Sequence, residues 1–258
     1  MEKCRLCLIE KQLLSKSHII PDFMYQDLYD DKHKIFLLNP YEQAKGEGYV
    51  KRPSSGEYES EILCSECDIK LLGKYEDYAR KAIYGGQLPA NECPTFENYK
   101  NQHGIEFTVC KNLNYQKFKI FLLSIVWRAG ISSRQFFSVI SLGPHEEKIR
   151  EMIFNGVAGN VDDYPIFIMT FVNDKSVPKD FVAQPQRRRT KDGYNVFIFM
   201  IGGLIFVYYV NSINHKLPDY VLSETLRQSN EVNIIHIPPG QGWDLILGYY
   251  GLKKKPSH

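Results

Sequence analysis

Apolar residues recur at helical spacing in two stretches of this chain and gather into uninterrupted blocks in two others, and that change of rhythm sets the expected layout. From Tyr115 onward, Phe118, Phe121, Leu122, Ile125 and Ala129 follow the i, i+3, i+4, i+7 rule, and Leu123, Val126 and Trp127 widen the buried face. This predicts a helix buried over most of its surface. Ile69, Leu72, Ala79, Ala82 and Ile83 keep the same period until Gly85-Gly86, so a helix is expected from about Asp68 to about Tyr84. Residues 133–140 and 145–155 are expected as two more helices, the second with Glu146 and Glu147 in its first turn, where the helix dipole favours acids. A short helix with aromatic anchors is expected around Phe23–Tyr29.

Beyond Tyr164 the blocks begin. Ile166 to Val172 is a short apolar run, and Val196 to Val210 is a longer one broken only by Gly202-Gly203. The longer run falls short of the roughly 18–20 apolar residues that span a bilayer. A paired glycine between β-branched and aromatic runs predicts a two-residue hairpin turn, because a type I′ turn needs positive φ at both central positions. Leu13 to Ile20 is expected to be extended and closed by Pro21. Asn39-Pro40, Gly46-Glu47-Gly48 and Pro53–Gly56 punctuate residues 40–61, expected as a long polar loop or irregular hairpin. Residues 87–113, with Pro89, Pro94, Asn98 and Asn101, are expected as a connector between a module over 1–86 and an α+β domain over 114–258.

At 258 residues and 43% hydrophobic content, the chain can bury a core as one large domain or two smaller ones. The net charge of +2 advertises neither nucleic acid nor a membrane surface. Residues 1–100 hold 14 Lys and Arg against 17 Asp and Glu, so the positive excess lies in the later part. Six cysteines are too few for a disulfide scaffold at this length, and Met1-Glu2-Lys3-Cys4 lacks the apolar core of a signal peptide. A reducing cytoplasmic setting with no membrane partner is expected, with Cys93 and Cys110 as reduced thiols.

Four cysteines form two matched pairs, Cys4-Arg-Leu-Cys7 and Cys64-Ser-Glu-Cys67. Two such knuckles suit one tetrahedral Zn²⁺ held by four thiolates, which makes these cysteines the expected structural zinc ligands. Between them stands Ser17-His18-Ile19-Ile20-Pro21. Knuckle, extended segment, then knuckle at a helix start is the order of a treble-clef zinc fold.

Cys4-x₂-Cys7, Ser17-His18-Ile19-Ile20-Pro21 and Leu63-Cys64-x₂-Cys67-Asp68 resemble the zinc-containing branch of the HNH endonuclease family, over about residues 1–85. The resemblance implies a treble-clef ββα module that hydrolyses phosphodiester bonds in DNA, with His18 as general base on water and a divalent metal at the scissile phosphate. In the family's motif an acid precedes the histidine, and here that position is Ser17. The middle asparagine falls near Glu59 and the closing histidine or asparagine at Asp68, so Glu59 and Asp68 are the candidate oxygen ligands for Mg²⁺ or Mn²⁺.

Each residue also has a plainer role to weigh: His18 bonded to backbone, Asp68 as a helix cap, Glu59 solvated on a loop. The alternative function is therefore a zinc module without its catalytic metal, serving nucleic-acid or protein interaction, and a protein partner subunit is a candidate beside DNA. Arg187, Arg188, Arg189 and Lys191, and Lys253–Lys255 at the tail, are basic clusters able to grip phosphates. Arg128, inside an otherwise apolar helix, is expected to pair a carboxylate. No GxSxG elbow, Walker loop or dinucleotide glycine loop is present. The expected fold class is α+β: the zinc module, then a helical segment, then an antiparallel sheet.

Overall fold

The computed structural model describes residues 2–39, 53–211 and 215–252. Residues 40–52 of the expected polar loop and Lys253–Lys255 lie outside them. The first CxxC sits in a hairpin of β1 (Glu2–Lys3) and β2 (Glu10–Lys11). β3 (Ser17–His18) follows, and after Pro21 a 3-10 turn over Asp22–Leu28 buries Phe23, Met24, Tyr25 and Leu28. β4 (Phe36–Leu38) comes next, and β5 (Tyr58–Glu59) returns antiparallel to β3. Glu66–Leu72 winds as a π-helix into α1 (Gly73–Tyr84), which stops at Gly85 with φ +86°, as the glycine pair predicts.

Residues 87–113 are not a connector. They form a hairpin of β6 (Thr95–Lys100) and β7 (Glu106–Lys111), paired along their whole length. Pro89 and Pro94 precede β6 and Asn101 lies in the turn, so none of them interrupts the ladder. The strand was hidden in sequence because every β6 residue is exposed, which removes the alternation that marks a half-buried strand.

α2 (Tyr115–Ile131) is buried on nearly every side, with Asn114 capping its start by accepting from the Lys117 N–H at 2.9 Å. Residues 133–140 form only a 3-10 turn, Gln135–Phe137. A helix cannot start earlier because Ser132 is extended, and Ser132 and Ser133 donate to Glu59. α3 (His145–Asn155) forms where expected and ends at Gly156 with φ +65°.

The apolar blocks become β8 (Ile166–Thr170), β9 (Phe181–Arg189), β10 (Asn195–Ile201) and β11 (Leu204–Tyr209). A short α4 (Asp219–Leu222), β12 (Val232–His236) and α5 (Gly242–Tyr249) complete the chain. One sheet runs in the order β4-β9-β10-β11-β8-β12-β7-β6. The β4–β9 and β8–β12 pairs are parallel, so the sheet is mixed rather than wholly antiparallel. Gly202 at φ +59° and Gly203 at φ +79° close the β10–β11 hairpin in the I′ conformation that their pairing predicts.

The uninterrupted apolar character of β10 follows from burial on both faces. Phe197, Phe199 and Ile201 join the core shared with the helices α1 to α3, while Val196, Ile198 and Met200 join the core that holds Ile246 of α5. The helix-side core also includes Cys4, Leu6, Ile19, Ile20 and Leu63, so the knuckles share one core with α2 residues such as Phe121 and Ile125. No helix among the described residues is long and apolar enough to cross a membrane.

Candidate metal centre and the adjoining His18 cleft

Backbone pairing brings the four cysteines together. Residues 13–19 run antiparallel to 57–64: Ser17 and His18 pair with Glu59 and Tyr58, the Leu14 N–H donates to the Leu63 carbonyl at 2.8 Å, and Leu13 bridges Cys64. The Arg5 N–H donates to the Ile62 carbonyl at 2.9 Å, which docks the first knuckle against the second. Within the knuckles the Leu8 N–H donates to the Cys4 carbonyl, and the Cys67 and Asp68 N–H groups both donate to that of Cys64.

The sulfurs of Cys4, Cys7, Cys64 and Cys67 all lie within 4.8 Å of one another, with Cys7 and Cys64 at 4.0 Å. A tetrahedron with Zn–S bonds of about 2.3 Å has sulfur–sulfur edges of roughly 3.8 Å, so the group can hold a metal ion such as zinc after small adjustments. A hydrogen bond from Cys67 holds the Cys4 thiol well below its ordinary range, against the effect of burial. The same contact, then burial, pushes Cys67 far up, and burial raises Cys64. Four crowded sulfurs can all be anions only around a cation.

Beside this centre, a cleft of about 270 Å³ opens between β3, the turn that follows it, and α1 with its preceding π turn. The cleft is lined by His18, Asp22, Asp68, Glu76, Arg80 and Arg128, among others. The π turn is marked by the Gly73 N–H reaching back five residues to the Asp68 carbonyl, and such turns re-aim side chains. His18 is half-buried, and its Nε2 is buried without a hydrogen-bond partner. Asp22 Oδ1 stands 3.6 Å from it, close enough to attract a proton but too far to bond. Burial lowers the imidazole's pKa, partly opposed by Asp22, so the ring is neutral at neutral pH.

Burial raises the Asp68 carboxyl, Arg128 opposes the rise, and Glu76 adds to it. The fully buried Ser17 hydroxyl lies near enough to Asp68 to help hold it down, yet meets no partner in full hydrogen-bond geometry.

Arg128 ties the cleft to α2. It is 1% exposed, and it donates to Glu76 Oε1 and to the His18 carbonyl at 2.8 Å each, and to Ser124. The carboxylate expected for it is thus Glu76. Glu76, Asp22 and Arg80 were not singled out in the sequence. The only signal for Glu76 was its place eight residues after Asp68 on one helix, near the same face.

Glu59 lies apart from this cleft. Its carboxylate accepts from the Ser132 hydroxyl at 2.9 Å and from the Ser133 N–H at 2.7 Å, with Arg134 at 3.8 Å. Burial alone would raise its pKa, but the serine bonds and Arg134 hold it below the ordinary carboxylate range. A depressed carboxyl contributes stability above its unfolded pKa and loses it as pH falls through the folded one. Glu59→Gln is expected to destabilise the chain at neutral pH by about 1–3 kcal/mol and to flatten its loss of stability below about pH 4, with zinc content unchanged. Urea titrations at several pH values check this, and an unchanged acid limb would refute it.

The basic residues of β9 divide between the sheet's faces. Arg188 donates to the Tyr249 carbonyl of α5 at 2.5 Å, while Arg187 and Arg189 are exposed, Arg189 donating to the Gly193 carbonyl at 3.2 Å. Lys191 is exposed in the turn that follows, and none of the four lines the His18 cleft. The chain matches no protein-family model, no curated protein and no solved structure.

Proposed function

We propose that this chain is a metal-dependent phosphodiesterase of HNH type acting on DNA, with His18 as general base and the four cysteines as a structural zinc site. The observation that supports this most is the His18 imidazole. It lies on β3 at the cleft that also holds Asp68 and Glu76, and its buried Nε2 has no hydrogen-bond partner. A histidine kept for structure would be expected to bond that nitrogen to a backbone carbonyl. Here its own carbonyl is anchored by Arg128 and Nε2 is left without a bond.

Neutral His18 takes the proton from a water molecule as the water oxygen bonds to phosphorus and the phosphorus–oxygen bond to the leaving alkoxide breaks. Asp68, with Ser17 behind it, would hold Mg²⁺ or Mn²⁺, which when bound supplies charge stabilisation at the phosphate oxygens. Arg80, at the cleft wall and paired with Asp77 at 3.1 Å, would turn to the approaching backbone. Glu59 takes no part in this site.

The experiment is a cleavage assay on DNA with Mg²⁺, Mn²⁺ and Ni²⁺. His18→Ala is expected to lower the rate by at least about 10²-fold while zinc content and thermal stability stay near native. Asp68→Ala is expected to lose activity in part and recover at high metal concentration. A second reading, a zinc module that binds nucleic acid or a protein partner without cutting, is favoured by Ser17 at the acid position. Among the described residues, also, only the four cysteines converge closely enough as a metal-holding group. Binding of DNA by the native chain with no cleavage under any metal would decide for that reading.

A further inference from the structure

The outer edge of β6 carries a complete set of backbone groups and a side-chain order that fits its own reverse. In the turn after β6 the Asn101 N–H donates to the Ile105 carbonyl, and the N–H of Gly104, at φ +79°, donates to that of Asn101, both at 2.9 Å. That sets the phase of the ladder, in which bonded and non-bonded pairs alternate. Thr95, Glu97 and Tyr99 therefore exchange bonds with β7, and Phe96, Asn98 and Lys100 point their N–H and C=O groups outward. The side chains agree: Thr108 Oγ1 donates to Asn98 Oδ1 at 2.7 Å, the close approach of a non-bonded pair. All six β6 residues are exposed, Phe96 at 58% and Tyr99 at 46%.

Edges of this kind are usually blunted by free charges. Here Glu97 is held by Lys111 at 2.9 Å and by the Tyr99 hydroxyl at 2.5 Å, and Lys100 leans toward Glu106 at 3.5 Å. The charges serve the strand's own hairpin.

We propose that β6 is the interface of a homodimer, in which a second copy lays its β6 antiparallel along this edge. A twofold axis must stand perpendicular to the sheet, so each face keeps its own side and the register must centre on a single residue. Centring on Asn98 sets it against the partner's Asn98 as a bonded pair, with Phe96 against the partner's Lys100 at both ends and Glu97 against the partner's Tyr99 on the other face. Lysine over a phenyl ring, amide on amide and phenol on carboxylate are all favourable cross-strand pairs. Centring on Glu97 would oppose two carboxylates, and centring on Lys100 would oppose two ammonium groups. Pro94, with no N–H, ends the edge on its N-terminal side. The self-complementary order Phe96-Glu97-Asn98-Tyr99-Lys100 is what commits the edge to a second copy.

Sedimentation equilibrium of the full zinc-loaded chain, from low micromolar to near-millimolar concentration, tests this. The native chain is expected to dimerise, and Asn98→Pro to raise the dissociation constant at least about tenfold, since it deletes the central donor. The Asn98 N–H faces away from β7, so proline there leaves the hairpin's backbone bonds in place and removes only the side-chain bond from Thr108 Oγ1. Phe96→Lys, which sets lysine against the partner's Lys100, is expected to weaken the dimer as much, and adding Lys100→Glu to it is expected to restore pairing. If Asn98→Pro alters zinc content or circular dichroism, the Phe96→Lys pair of variants decides. A native chain that stays monomeric throughout, or dimerises equally in these variants, would overturn the proposal.

Discussion

Cys64→Ser is expected to empty the metal centre and to unfold far more of the chain than the segment between the two knuckles. Zinc bound by four thiolates stabilises small zinc-finger peptides by about 10–16 kcal/mol, which matches or exceeds the roughly 5–15 kcal/mol that separates folded from unfolded states in ordinary domains. Sequence alone suggests containment, since a connector at 87–113 would let residues 114–258 survive without the module. The packing argues otherwise. Cys4, Leu6, Ile19 and Leu63 belong to the same core as Phe121, Ile125 and Phe199, and β4 from the N-terminal third is an edge strand of the main sheet. Zinc content is expected to fall from about one ion per chain to well below that, and calorimetry to show one transition at lower temperature. Full zinc retention, or an unshifted transition for the helices and sheet, would show that the centre is neither filled nor needed.

What could be read in the sequence was whatever depended on near neighbours. The knuckle spacing, the Gly202-Gly203 turn and the helical period from Phe118 to Ala129 each act over a few residues, and the structure places all three as expected. The failures share a cause as well. β6 shows no hydrophobic period because nothing covers it among the described residues, and its pairing partner is set by the turn rather than by burial. Glu59 looked like a loop carboxylate because its partners Ser132 and Ser133 lie 73 and 74 residues further on. The parallel pairing of β4 with β9 joins segments far apart in the chain, and a three-residue strand carries too little pattern to announce it. The cleft was half legible: His18 and Asp68 belong to local motifs, whereas Asp22, Glu76 and Arg80 become cleft residues only once β3 and α1 are laid side by side.

Arg128→Met is expected to destabilise the chain by about 3–5 kcal/mol, because it removes the buried member of an ion pair and leaves the partly exposed Glu76 and the His18 carbonyl without their donor. The guanidinium serves three elements at once: Glu76 on α1, the His18 carbonyl on β3, and Ser124 one turn back on its own helix. Lysine keeps the charge but has a single nitrogen and no planar fork, so Arg128→Lys is expected to recover only part of the loss. Glu76→Gln is expected to be milder, since an amide oxygen still accepts from Arg128 and the Glu76 side chain is 24% exposed. If the pair is the source of the effect, Arg128→Met combined with Glu76→Leu will be less damaging than the sum of the two single changes. Urea unfolding of the zinc-loaded variants, Glu76→Leu alone included, with m-values compared to confirm that the unfolded states match, measures all five. A loss for Arg128→Met within about 1 kcal/mol of native would mean that water replaces the guanidinium, and that α2 does not brace the His18 strand.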